Sequence, residues 1–117
     1  MKYLLLIYFD EAWDKLTPGE RQDIYLGQKQ LADELTAAGR YLGGNPLHPV
    51  ATATTVRVRD GRRLLTDGPF AETREHLGGY MLIDVADLDE ALAIAARGPV
   101  ARVGMVEVRP VREGPPS

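Results

Sequence analysis

A chain of 117 residues that is 44% hydrophobic can bury one core but not two, so a single domain spanning residues 1–112 is expected. A formal net charge of -3 argues against a general nucleic-acid surface, and the lack of cysteine excludes disulfides, thiolate catalysis and Cys-type zinc or iron–sulfur sites. The N-terminal apolar run Tyr3 to Phe9 is too short to cross a membrane and is followed by Asp10, Glu11 and Asp14 rather than a cleavage site, so a cytoplasmic, non-membrane protein is expected.

Tyr3 to Phe9 is apolar on both alternating faces and rich in strand formers, which predicts a central strand covered from both sides. Asp10 to Leu16 reads as a polar connector carrying Trp13, either a lid on the core edge or an interface anchor. Thr17-Pro18-Gly19-Glu20 has the form of a capping box with proline at the first helical position, so a helix starts there. Ile24, Gln28, Leu31, Leu35 and Ala38 recur at helical spacing, Gly39 is placed to end the helix, and Gln28, the polar member of the stripe, is flagged as pocket-lining.

Arg40 to Leu42 begins a short strand, interrupted by Gly43-Gly44-Asn45-Pro46 and followed by an irregular crossing at Pro49. Thr52 to Arg59 and Arg62 to Thr66 form a hairpin around Asp60-Gly61, a register that sets Arg59 opposite Arg62. The arginines at its tip are read as a solvated edge that discourages aggregation. Asp67-Gly68-Pro69 is a turn; Glu72, Thr73, Arg74, Glu75 and His76 follow in unbroken succession, and Gly78-Gly79 releases the chain into the strand Tyr80 to Val85. Asp87 starts a second helix with Leu88, Ala91, Leu92 and Ala95 as its buried stripe, and Gly98-Pro99 stops it. Val103 to Val111 is the closing strand, with Val106 and Val108 on one face and Met105, Glu107 and Arg109 on the other; a disordered tail, residues 113–117, is expected after it.

This order matches an α+β, ferredoxin-like βαββαβ arrangement with an inserted β-hairpin. Two helices cover one face of such a sheet, and the doubly apolar first strand asks for cover on the other; a second copy packed sheet to sheet supplies it, as a homodimer. The string DGPFAETREHLGGY from Asp67 to Tyr80, with ATATTVRVRDG before it and DLDEALAIA and VEVRPV after it, resembles the DGPF proteins of the YCII-related family over nearly the whole chain. The resemblance implies a dimeric α+β barrel, a bacterial cytosolic setting and no settled activity. Relatives in the broader group look to use a His and Asp pair with the histidine on the first helix. Here the histidines are His48 and His76, in the crossing segment and the motif, so that pair does not carry over by position.

Two classes of function follow, beside a structural dimer without chemistry in which the motif only holds the crossing strands in place. In the first, the protein binds a small, anionic organic molecule in an inter-subunit cleft and runs lyase- or isomerase-type general acid/base chemistry. Asp67 with His76 or Glu72 then supplies the proton-transfer groups, while Arg74 clamps an anion and Glu75, Glu107, Arg109 and Phe70 complete the ligand-binding set. The bland alternatives are that Asp67 caps its turn, that Glu72, Arg74 and Glu75 satisfy one another, and that Phe70 plugs a core or interface. In the second class, implied by the resemblance, the protein is a non-catalytic accessory or regulatory partner of an extracytoplasmic-function sigma factor system. No metal-ligand spacing and no phosphate or dinucleotide loop occurs, so neither metal nor cofactor is expected.

Overall fold

The computed structural model describes residues 1–115; residues 116–117, the end of the tail expected to be disordered, lie outside the described residues. The elements are β1 (Lys2–Phe9), α1 (Glu11–Asp14), α2 (Pro18–Ala37), β2 (Tyr41–Pro46), β3 (Thr54–Arg59), β4 (Arg62–Asp67), β5 (His76–Asp84), α3 (Leu88–Arg97), α4 (Val100–Val103) and β6 (Gly104–Pro110). The main sheet has the order β2-β5-β1-β6 with antiparallel neighbours, and β3 with β4 makes a separate ribbon. This is the ferredoxin-like α+β arrangement with a hairpin inserted between its second and third sheet strands.

β1 is central because it is bonded on both sides, to β5 and to β6. Tyr3, Leu5, Ile7 and Phe9 are buried under the helices, while Leu4, Leu6 and Tyr8 are half-buried on the face the helices leave open. The core joins the buried side of β1 to Met81, Ile83 and Val85, to Ile24, Leu31 and Leu35 of α2, and to Ala91, Ile94 and Val100. Leu5 and Ile83 are fully enclosed, and each such side chain contributes about 1.5–3 kcal/mol of burial. The open face carries Leu4 opposite Leu82, Leu6 opposite Tyr80, and Glu107 paired with Arg109 at 2.6 Å.

Several elements differ from the sequence expectation for identifiable reasons. Asp10 caps Ala12, so the Trp13 connector is a short helix instead of a loop. β2 runs through Gly43-Gly44-Asn45-Pro46 instead of breaking there, absorbing the irregularity as a register shift against β5. β5 begins at His76, so Gly78-Gly79 sits within a strand. On α3 the buried residues are Ala91 and Ile94, while Leu88 and Leu92 are each 47% exposed. Small Ala91 brings the helix close to the sheet and turns both leucines outward. A four-residue helix, α4, stands before β6, following Pro99.

Candidate functional site

α2 carries two adjacent stripes. Ile24, Leu31 and Leu35 enter the core, while Gln22, Tyr25, Lys29 and Ala32, at spacings of three and four, face a cleft of about 680 Å³ between the helix and the β2–β5 side of the sheet. Ile7, Phe9 and Met81 form its apolar floor, and Asn45 in β2 and Leu47 and His48 just beyond it lie along its edge. The Leu47 amide donates to the Gly78 carbonyl at 2.9 Å, which extends the β2–β5 pairing and holds this rim in place.

Glycine shapes the floor. A Cβ on Gly44 would lie 2.5 Å from the Tyr80 carbonyl and 2.7 Å from the Tyr41 hydroxyl, and one on Gly78 would overlap the Phe9 ring. The missing side chains are therefore the space that Tyr41 and Phe9 occupy as they border the cleft. Phe9 stacks on Trp13 with ring centroids 4.1 Å apart, and Trp13 meets Tyr25 edge to face at 5.5 Å. Arg21 fixes Trp13 by lying over its ring at 5.5 Å and donating to the Trp13 and Asp14 carbonyls. The result is a preformed aromatic wall.

Four polar groups give the cleft its chemistry. Burial, reinforced by neighbouring Tyr80, raises the Tyr41 phenol above its ordinary value, so it stays protonated and can donate a hydrogen bond. Gln28 lines the cleft, but its amide is engaged: Oε1 accepts from the Val100 N–H at 3.3 Å, and Nε2 approaches the Met81 sulfur at 3.7 Å. His48 is exposed on the rim, where its ring nitrogens can donate or accept a hydrogen bond. Lys29 brings a positive charge, shared with Asp33 at 2.9 Å.

Of the residues singled out in the sequence, Gln28 lines the cleft as expected, and those of the Asp67–His76 motif and of β6 lie elsewhere. Asp67 ends β4, exposed and opposite Thr54. Phe70 is 76% exposed, and Glu72, Arg74 and Glu75 stand in the exposed loop that follows. His76 is half-buried at the start of β5, across from Phe9, while Glu107 and Arg109 pair on the open sheet face. None of these motif and β6 residues lines the cleft, and among the described residues no ion pair joins Asp67, Glu72, Arg74 or His76. Among the described residues there is also no cluster of His, Asp and Glu suited to a metal, and no helix long and apolar enough to cross a membrane. Tyr25 and Tyr41 were missed because nothing local marks them. They line one cleft only when β2 pairs with β5 and α2 lies across the sheet; the available signal was the Gly43-Gly44 pair close after Tyr41.

The chain is 38% identical to an uncharacterized protein of Rhizobium meliloti (strain 1021), over 95% of this chain and 92% of that one. Its fold is similar to that of the 5-chloro-2-hydroxyhydroquinone dehydrochlorinase TftG from Burkholderia phenoliruptrix AC1100, solved in complex with 2,5-dihydroxybenzoquinone. That likeness has a TM-score of 0.56 at 14% identity and covers 97% of this chain and 96% of the other, so it concerns the fold. The model of the YCII-related domain matches residues 1–114, and the chain belongs to that family.

Proposed function

We propose that the protein binds a small, planar organic molecule in the cleft between α2 and the sheet and catalyses a lyase- or isomerase-type proton transfer on it. The observation that carries this reading is the cleft itself: about 680 Å³, with a glycine-shaped floor, an aromatic wall and few polar groups. Rings with oxygen substituents fit that chemistry. The Tyr41 phenol donates to a ring oxygen and stabilises the charge that develops when a neighbouring C–H or O–H proton leaves. His48 is the proton acceptor on the rim, and Lys29 favours an anionic ligand. The dehydrochlorinase neighbour, bound to a dihydroxybenzoquinone, supports this substrate class by analogy of fold. In this proposal the protein is a cytosolic homodimer joined through the open sheet face. Asp67, Glu72, Arg74 and His76 then take part in chemistry only where the second copy carries them toward a cleft.

Calorimetric titration with hydroxylated quinones and hydroquinones tests the reading. Binding at micromolar concentration, weakened about tenfold or more in Tyr41→Phe, is the expected result, since one buried hydrogen bond contributes roughly that factor. No binding by any ring compound, or equal binding by wild type and Tyr41→Phe, contradicts it. The accessory role beside an extracytoplasmic-function sigma factor is the second reading. Phe70 supports it, being exposed, apolar and away from the cleft. A Phe70→Ser variant that keeps ligand binding but loses a sigma-factor complex would favour that role.

A further inference from the structure

The β3–β4 ribbon stands apart from the main sheet, with one of its two sides uncovered. Its strands pack extensively only on each other, and a two-stranded ribbon alone is marginal in water. Directly opposed residues of an antiparallel ladder share a face, so Val56, Val58, Leu65 and Arg63 lie on one side and Arg57, Arg59, Arg62 and Leu64 on the other. The first side is bare: Val56 is 56% exposed, Val58 60% and Leu65 58%. The second side receives the loop after β4. There the Thr55 hydroxyl donates to the Gly68 carbonyl at 2.9 Å and Arg57 to the Phe70 carbonyl at 3.5 Å. The Gly68 amide closes the base by donating to the Ala53 carbonyl at 2.7 Å. The ribbon and the loop are thus one clasped unit with one apolar side unpartnered.

A second unpartnered apolar surface is the open sheet face of Leu4, Leu6, Tyr8 and Leu82. Both surfaces belong to every copy, so a two-fold pair covers both at once. The ribbon Thr54–Asp67 holds four arginines and two aspartates, a formal +2, which leaves -5 on the rest of the -3 chain, so net charge draws the arm of one copy to the body of another. Only Arg63 stands on the apolar side, with Arg57, Arg59 and Arg62 on the other, so the apolar residues and not the arginines set which side docks.

We propose that the ribbon is an arm covered by a second copy of this chain, its Val56, Val58 and Leu65 side lying on the open sheet face of the partner, and reciprocally. This rests on the homodimer reading above. It gives the Asp67–His76 stretch a task, which is to stiffen the base of the arm and travel with it into the interface.

The test uses the full chain. Sedimentation over a concentration series gives the self-association constant of the wild type, of Leu65→Glu and of Leu64→Glu, and amide hydrogen exchange reads residues 54–67. The two glutamates stand on opposite sides of the ribbon at positions already exposed in the single chain, so both variants fold. The arm account expects a wild-type dimer whose arm amides are protected, association about tenfold or more weaker in Leu65→Glu, and near-wild-type association in Leu64→Glu. A dimer with unprotected arm amides and equal association in both variants overturns the arm and leaves the homodimer standing. A wild type that remains a monomer throughout overturns both. Arm amides protected in the dilute monomer also overturn the arm, because its cover would then come from its own chain.

Discussion

Thr17 and Glu20 close the start of α2 by exchanging hydrogen bonds: the Glu20 amide donates to the Thr17 hydroxyl at 3.1 Å and the Thr17 amide to the Glu20 carboxylate at 2.9 Å. Thr17→Ala removes one of them and should cost about 1 kcal/mol in chemical denaturation. The Thr17 amide bonded to the carboxylate, and after it the Thr17 hydroxyl beside it, hold the Glu20 carboxyl below its ordinary value of 4.5. A lowered folded value means that the contribution is present above the ordinary one and lost as pH falls through the folded one. Glu20→Gln should therefore differ in stability from wild type at neutral pH, and the difference should vanish in acid. Tyr41 has the opposite sign. Its phenol is raised above 10.0, first by burial and then by Tyr80, so its contribution is complete below pH 10.0 and is lost as pH rises through the folded value. Denaturation midpoints should show wild type losing stability relative to Tyr41→Phe only on the alkaline side. Parallel profiles would mean that Tyr41 is solvated like any surface tyrosine.

At the scale of the element, glycine positions are the sensitive ones. Ala at 78 would drive a Cβ into the Phe9 ring, displacing it from Trp13 and from the cleft wall. Gly78→Ala should cost about 1–3 kcal/mol and shift the emission of Trp13, the one tryptophan in the chain. Gly61, at φ +73, is the second residue of the β3–β4 turn, and Gly61→Ala should lower arm protection in hydrogen exchange while the thermal midpoint of the core stays unchanged. Elements with local chemistry were legible in the sequence. α2 announces itself through Thr17, Pro18 and Glu20, and the hairpin through Asp60-Gly61, both at positive φ as such a turn requires. The start of β5 and the orientation of α3 were not legible, because both follow from close approaches, at Gly78 to Phe9 and at Ala91 to the sheet. The cleft was hidden for the same reason. Polar residues between Asp67 and His76 attract attention in a linear reading, whereas the cleft is built from absent side chains and from rings on distant strands.

The whole molecule is flat and spread, with extents of 47 × 45 × 19 Å and a radius of gyration of 16.2 Å, against about 13 Å for a compact chain of this length. A protruding ribbon and a sheet covered on one face account for that shape, and the order of strands and helices made the one-sided sheet legible before any coordinates. The proposed ligand site is the cleft beside α2. The most direct test is an amide chemical-shift map of the labelled protein titrated with 2,5-dihydroxybenzoquinone. The account predicts saturable shifts centred on Tyr25, Lys29, Tyr41, Gly44, His48 and Gly79, reduced in Tyr41→Phe. Shifts confined to the Asp67–His76 loop, or none at concentrations well above micromolar, would contradict it.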